Sequence, residues 1–78
     1  MKFNLKCFGV LAEKFGTEIS VDDSEISTIF QLKEKITTQF PELSQYNFKL
    51  AKNKFIADDL SAVDSSDELV LLPPFSGG

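Results

Sequence analysis

The 78-residue chain carries 12 acidic and 8 basic side chains, a net charge of −4, with 42% hydrophobic residues, eight Phe and no Trp. That length and composition predict one small folded domain whose core must be well packed, and they argue against disorder. All eight basic residues are Lys, so no Arg-rich phosphate-binding face is present, and no apolar run approaches the ~20 residues that span a bilayer. Nucleic acid and membrane are therefore not expected partners.

One cysteine, Cys7, and no His leave no metal-ligand spacing and no internal disulfide. A reducing compartment, the cytoplasm, is the expected location.

In chain order, Lys2 to Phe8 alternates apolar and polar residues, placing Phe3, Leu5 and Cys7 on the buried face of a strand. Val10 to Phe15 predicts a short helix ended by Gly16, with Leu11 and Phe15 four residues apart. Thr17 to Val21 alternates again and predicts a second strand, antiparallel to the first. Thr28 and Gln31 have capping-box spacing, and Ile29, Leu32, Ile36 and Phe40 form a helical stripe closed by Pro41.

Tyr46 to Leu50 predicts a third strand, followed by a Lys52-Asn53-Lys54 turn and a short strand at Phe55-Ile56. Glu68 to Leu72 is apolar on both faces, as a strand at a sheet centre is, and Pro73 ends it. The order ββαβββ, with the last strand parallel to the first, predicts an α+β, ubiquitin-like β-grasp fold. Its mixed sheet has about five strands and packs on one main helix. Residues 1–72 would form the domain and 73–78 an extended tail.

The run Asp67-Glu68-Leu69-Val70-Leu71-Leu72-Pro73-Pro74-Phe75-Ser76-Gly77-Gly78 closely resembles the ending of the small, sulfur-carrying subunit of molybdopterin synthase. The Val10 to Gly16 segment is also similar to that family's first short helix. The resemblance implies that an ATP-using enzyme of the ubiquitin-activating type adenylates the Gly78 carboxylate, which sulfur converts to a thiocarboxylate. Sulfur would then pass to the dithiolene of molybdopterin, made from a cyclic pyranopterin precursor, in a large subunit that supplies the catalytic residues. It further implies a two-plus-two heterotetramer, with no cofactor bound by the chain itself. The thiamine-pathway sulfur carriers and ubiquitin-like protein modifiers share the Gly-Gly end and form the alternatives.

Chemical reasoning supports the tail's part in such a role. Gly77 and Gly78 make the slimmest possible peptide for entering a narrow channel. Pro73 and Pro74 fix φ and lower the entropy cost of insertion, while Ser76 to Gly78 stay pliable. Phe75 is an aromatic anchor for a partner pocket or packs on its own domain. Phe55 and Ile56 either pack in the core or offer a partner an apolar patch. Cys7, in register with Phe3 and Leu5, reads as a core thiol.

Overall fold

The computed structural model describes residues 2–73. Strand β1 (Lys2–Cys7) buries every second residue, as its alternation requires. Helix α1 (Gly9–Phe15) follows, buries Leu11 and stops at Gly16, whose φ of 96° lies where a Cβ is disfavoured. Strand β2 (Glu18–Asp22) returns antiparallel to β1, pairing Leu5 with Ile19 and Phe3 with Val21.

Helix α2 (Ile29–Gln39) starts at the anticipated box: the Gln31 N–H donates to Thr28 Oγ1 at 3.3 Å, and the Thr28 N–H donates to Gln31 Oε1 at 3.2 Å. The stripe Ile29, Leu32 and Ile36 is fully buried, while Phe40 packs at the core's edge. Pro41 does more than end the helix, because Pro41–Gln45 forms a 3-10 helix that buries Leu43.

Strand β3 (Lys49–Lys52) begins three residues later than the alternation predicts. Tyr46 and Phe48 instead pack from the preceding loop, with the Tyr46 ring edge-on to Phe15 at 6.4 Å. Strand β4 (Phe55–Ile56) completes a hairpin, and strand β5 (Leu69–Leu72) completes the sheet.

The five strands lie in the order β2-β1-β5-β3-β4. As expected, β5 is central and parallel to β1, pairing Leu5 with Leu69 and Cys7 with Leu71, while its other edge is antiparallel to β3. The fold is α+β, with five strands and two α-helices among the described residues, of the ubiquitin-like β-grasp type. Its core gathers Phe3, Leu5, Ile19, Val21, Leu50, Leu69 and Leu71 from the sheet against α2, with Ile26 and Val63 contributed by loops. No polar or charged residue is buried among the described residues.

Candidate functional site

The anticipated tail begins where β5 ends. Pro73 is half-buried and lies within the described residues; Pro74, Phe75, Ser76, Gly77 and Gly78 lie outside them. The described geometry is therefore that of the tail's root, built from the end of β5 and the corner between β1 and α1. The Phe8 N–H donates to the Leu71 carbonyl at 3.3 Å, extending the β1–β5 ladder by one rung. The Phe8 carbonyl in turn accepts from the Leu11 and Ala12 N–H groups at 3.2 and 3.4 Å, which launches α1.

Residues directly opposite one another in neighbouring strands share a face. Leu69 and Leu71 face α2, so Val70 and Leu72 face the other way and are half-buried. In register with Val70 stand Ala51 and Ile56 on one side and Lys6 on the other, and Lys49 stands opposite Leu72. The face away from the helix thus carries an apolar row, Ile56, Ala51 and Val70, with exposed lysines beside it.

From the sequence, Phe55 and Ile56 are expected together, in the core by preference and otherwise as a partner-facing patch. Both are exposed, at 76% and 57%, so neither belongs to the core. The register also separates them, since Phe55 lies opposite Lys52 and shares its face with Leu69, whereas Ile56 joins the Val70 row. Phe8, 52% exposed beside the tail's root, was not singled out as a partner-facing residue. Its signal was present, because the residue after the buried Cys7 must point outward by alternation.

Cys7 is only 3% exposed, and burial pushes its thiol pKa up. A thiol that resists ionisation is a poor nucleophile, so the chain's own sulfur is a core group rather than a reacting one. Among the described residues there is no cluster of His, Cys, Asp and Glu able to hold a metal. None of their helices is long and apolar enough to cross a membrane.

Much of the acidic surface is committed to local structure. Asp59 pairs with Lys33 at 2.8 Å, and Asp23 accepts the Glu25 N–H at 2.8 Å, which lowers its pKa. Asp67 accepts from the Asn53 amide at 3.0 Å and from the Asp64 N–H at 2.8 Å, and its pKa is also lowered.

The ThiS family model matches residues 5–78. No curated protein matches the chain. Among solved structures, SAMP1 from Haloferax volcanii is similar over 100% of both chains, with 27% identity and a TM-score of 0.80. A provisionally named molybdopterin converting factor subunit 1 from Pyrococcus furiosus is 16% identical, with a TM-score of 0.82 over 96% of this chain and 99% of that one. The Helicobacter pylori complex of subunits 1 and 2 of molybdopterin-converting factor matches with 21% identity and a TM-score of 0.68, covering 100% of both chains. A family match running from β1 through the last residue, on a sheet whose central strand leads into Pro-Pro-Phe-Ser-Gly-Gly, places the chain in the ThiS family of ubiquitin-like sulfur carriers.

Proposed function

We propose that this chain is the sulfur-carrying small subunit of a molybdopterin synthase. The observation that carries the reading is the sequence Pro73-Pro74-Phe75-Ser76-Gly77-Gly78 issuing directly from the central strand of a β-grasp sheet. The two molybdopterin-converting-factor neighbours share the fold and support the assignment.

A free carboxylate is a poor electrophile, so the Gly78 carboxylate must first be activated. A ubiquitin-activating-type enzyme would join it to the α-phosphorus of ATP with loss of pyrophosphate. Hydrosulfide-level sulfur supplied by a partner would then attack the acyl carbon and expel AMP, its C–S bond replacing the C–O bond to phosphate and its proton passing to a partner's base, to leave a thiocarboxylate. The chain has no His and its cysteine is buried, so the general base and the sulfur source belong to partners. From Leu72 the six residues to Gly78 reach ~20 Å when extended, enough to enter a neighbouring large subunit.

The Val70 row, half-buried at Val70 and exposed at Ile56, together with Phe8, is the surface we assign to docking, with Phe75 as the tail's anchor. The large subunit would close a two-plus-two assembly in which dithiolene formation takes place.

A second reading, a covalent protein modifier, is favoured by the 27% identity to SAMP1, a small archaeal modifier protein. A thiamine-pathway carrier is favoured by the family model itself. An intact mass spectrum of the protein from its own cells decides first: one terminal oxygen replaced by sulfur supports a carrier. Carboxylate alone, even after incubation with activating enzyme, ATP and a sulfur donor, refutes it. Formation of molybdopterin on adding the large subunit and precursor separates that pathway from thiamine, and thiol-resistant conjugates on lysines would instead support the modifier.

A further inference from the structure

The first residue of α1 touches the tail's root at one place. Gly9 has φ of +58°, a conformation that L side chains rarely adopt, and a Cβ built there would lie 2.9 Å from Pro73 Cγ. The same Cβ would stand 3.8 Å from Pro73 Cβ and Cδ. The bare Cα of Gly9 is therefore the seat of the Pro73 ring. We propose that Gly9 is a positioning residue for the C-terminal tail, fixing through Pro73 the direction in which the chain leaves the sheet. The consequence for activation rests on the carrier reading above.

Three observations make the contact directional. First, Gly9 cannot readily retreat, because Phe8 is hydrogen-bonded to Leu71 and Leu11 is fully buried. Second, the atom met is part of a five-membered ring, not the free end of a flexible side chain. Third, the colliding residue follows the last residue of β5, where the ladder no longer holds the backbone. With an added methyl group, Pro73 is the side that moves.

Ordinary contact begins at 3.4 Å, so the shortfall at 2.9 Å is 0.5 Å. Passed wholly to the backbone over one Cα–Cα step of 3.8 Å, with none of it absorbed by ring pucker, that displacement is a turn of about 8°. Pro74, whose ring also restricts φ, follows directly in sequence. Misplacing a reacting group by about 1 Å can cost a hundredfold in rate. Of the docking surface, the Val70 row lies on the sheet and is untouched and only Phe8 adjoins Gly9, so the loss should fall on turnover more than on encounter.

Gly9→Ala, Pro73→Ala and the double variant test this in ATP–pyrophosphate exchange with the activating enzyme, alongside thermal melts. The expected result for Gly9→Ala is a roughly tenfold lower kcat with KM within about twofold of wild type. Pro73→Ala deletes the ring atom that the methyl group meets, so the double variant should behave as Pro73→Ala alone. An unchanged kcat in Gly9→Ala, a loss confined to KM, or fully additive losses would each overturn the proposal.

Proton NMR of the free protein supplies a readout that needs no enzyme. Wild type should show a Gly9 Hα to Pro73 Hγ cross-peak, and Gly9→Ala should shift the resonances of residues 74–78. Absence of the cross-peak, or unmoved tail resonances in a folded variant, refutes the positioning role. If wild type supports no exchange at all, the carrier reading falls, and the NMR result alone decides whether Gly9 aims the tail. Should Gly9→Ala not fold, Pro73→Ala in the wild-type background must still lower kcat.

Discussion

Replacing Asn53 probes how β5 is held at its entry. Asn53 and Lys54 occupy the two-residue turn between β3 and β4 with φ of 52° and 77°, the left-handed pair that such hairpins require. Asn53 also reaches across the sheet: its Oδ1 accepts the Glu68 N–H at 2.9 Å, and its Nδ2 donates to Asp67 Oδ1 at 3.0 Å. Asn53→Gly keeps the backbone conformation but removes both side-chain bonds, at ~0.5–1 kcal/mol each in this exposed setting, hence about 1–2 kcal/mol. Asn53→Ala removes the same bonds and adds ~1 kcal/mol for a Cβ in the left-handed region, about 2–3 kcal/mol in all. For a domain of this length, whose total stability is about 4–12 kcal/mol, either loss is large. Urea denaturation at neutral pH followed by circular dichroism measures both. An Ala variant no less stable than the Gly variant would refute the backbone argument, and losses below about 0.5 kcal/mol in both would refute the clamp.

Three further outcomes follow from the geometry. Thr28→Ala breaks the capping box of α2 and should cost ~1 kcal/mol in the same assay, with Thr28→Ser retaining most of it. Asp67 is held below the ordinary carboxylate pKa by the Asn53 amide and then by the Asp64 N–H, so its contribution is complete above about pH 4 and is lost as pH falls through its folded value. The urea midpoint should therefore drop on acidification, and Asp67→Asn should flatten that drop; equal pH profiles would refute the linkage. Deleting Gly78 should leave the melting temperature unchanged while abolishing sulfur loading, read by intact mass.

The parts of the fold that were legible in the sequence are those where one face of an element is buried. Phe3-Leu5-Cys7, Ile19-Val21 and the Ile29-Leu32-Ile36 stripe each repeat with the period of their element, and the structure buries all of them. The both-sided apolarity of Leu69 to Leu72 correctly marked the central strand. The start of β3 was misjudged because Tyr46 and Phe48 continue an alternating pattern while packing from a loop. Lys52, polar in composition, belongs to the strand, with its ammonium donating to the Ala62 carbonyl at 2.8 Å. Ile26, Leu43 and Val63 join the core from segments too short to show a period.

Of the site, proline stiffness and glycine slimness are expectations from residue types, and Pro74 to Gly78 lie outside the described residues. The seat at Gly9 could not be read from the sequence. A single glycine between a strand and a helix reads as a turn, and its encounter with Pro73 exists only once β1 and β5 lie side by side. That Ile56 shares a face with Val70, through Ala51 between them, rather than with its neighbour Phe55 likewise depends on strand register.

The parallel pairing of Leu5 with Leu69 joins residues 64 positions apart, so the rung at the middle of the sheet is also among the last that a growing chain can form. Until β5 emerges during synthesis, the β1–β2 hairpin and the β3–β4 hairpin have no strand between them, and neither is a stable sheet alone. The strand that completes the fold is the one that leads into Pro73 to Gly78. An interrupted product that lacks β5 is thus without both its central strand and the Gly-Gly end. Under the proposed carrier function, the cell's degradation machinery and an activating enzyme would sort finished from unfinished chains by the same stretch of sequence.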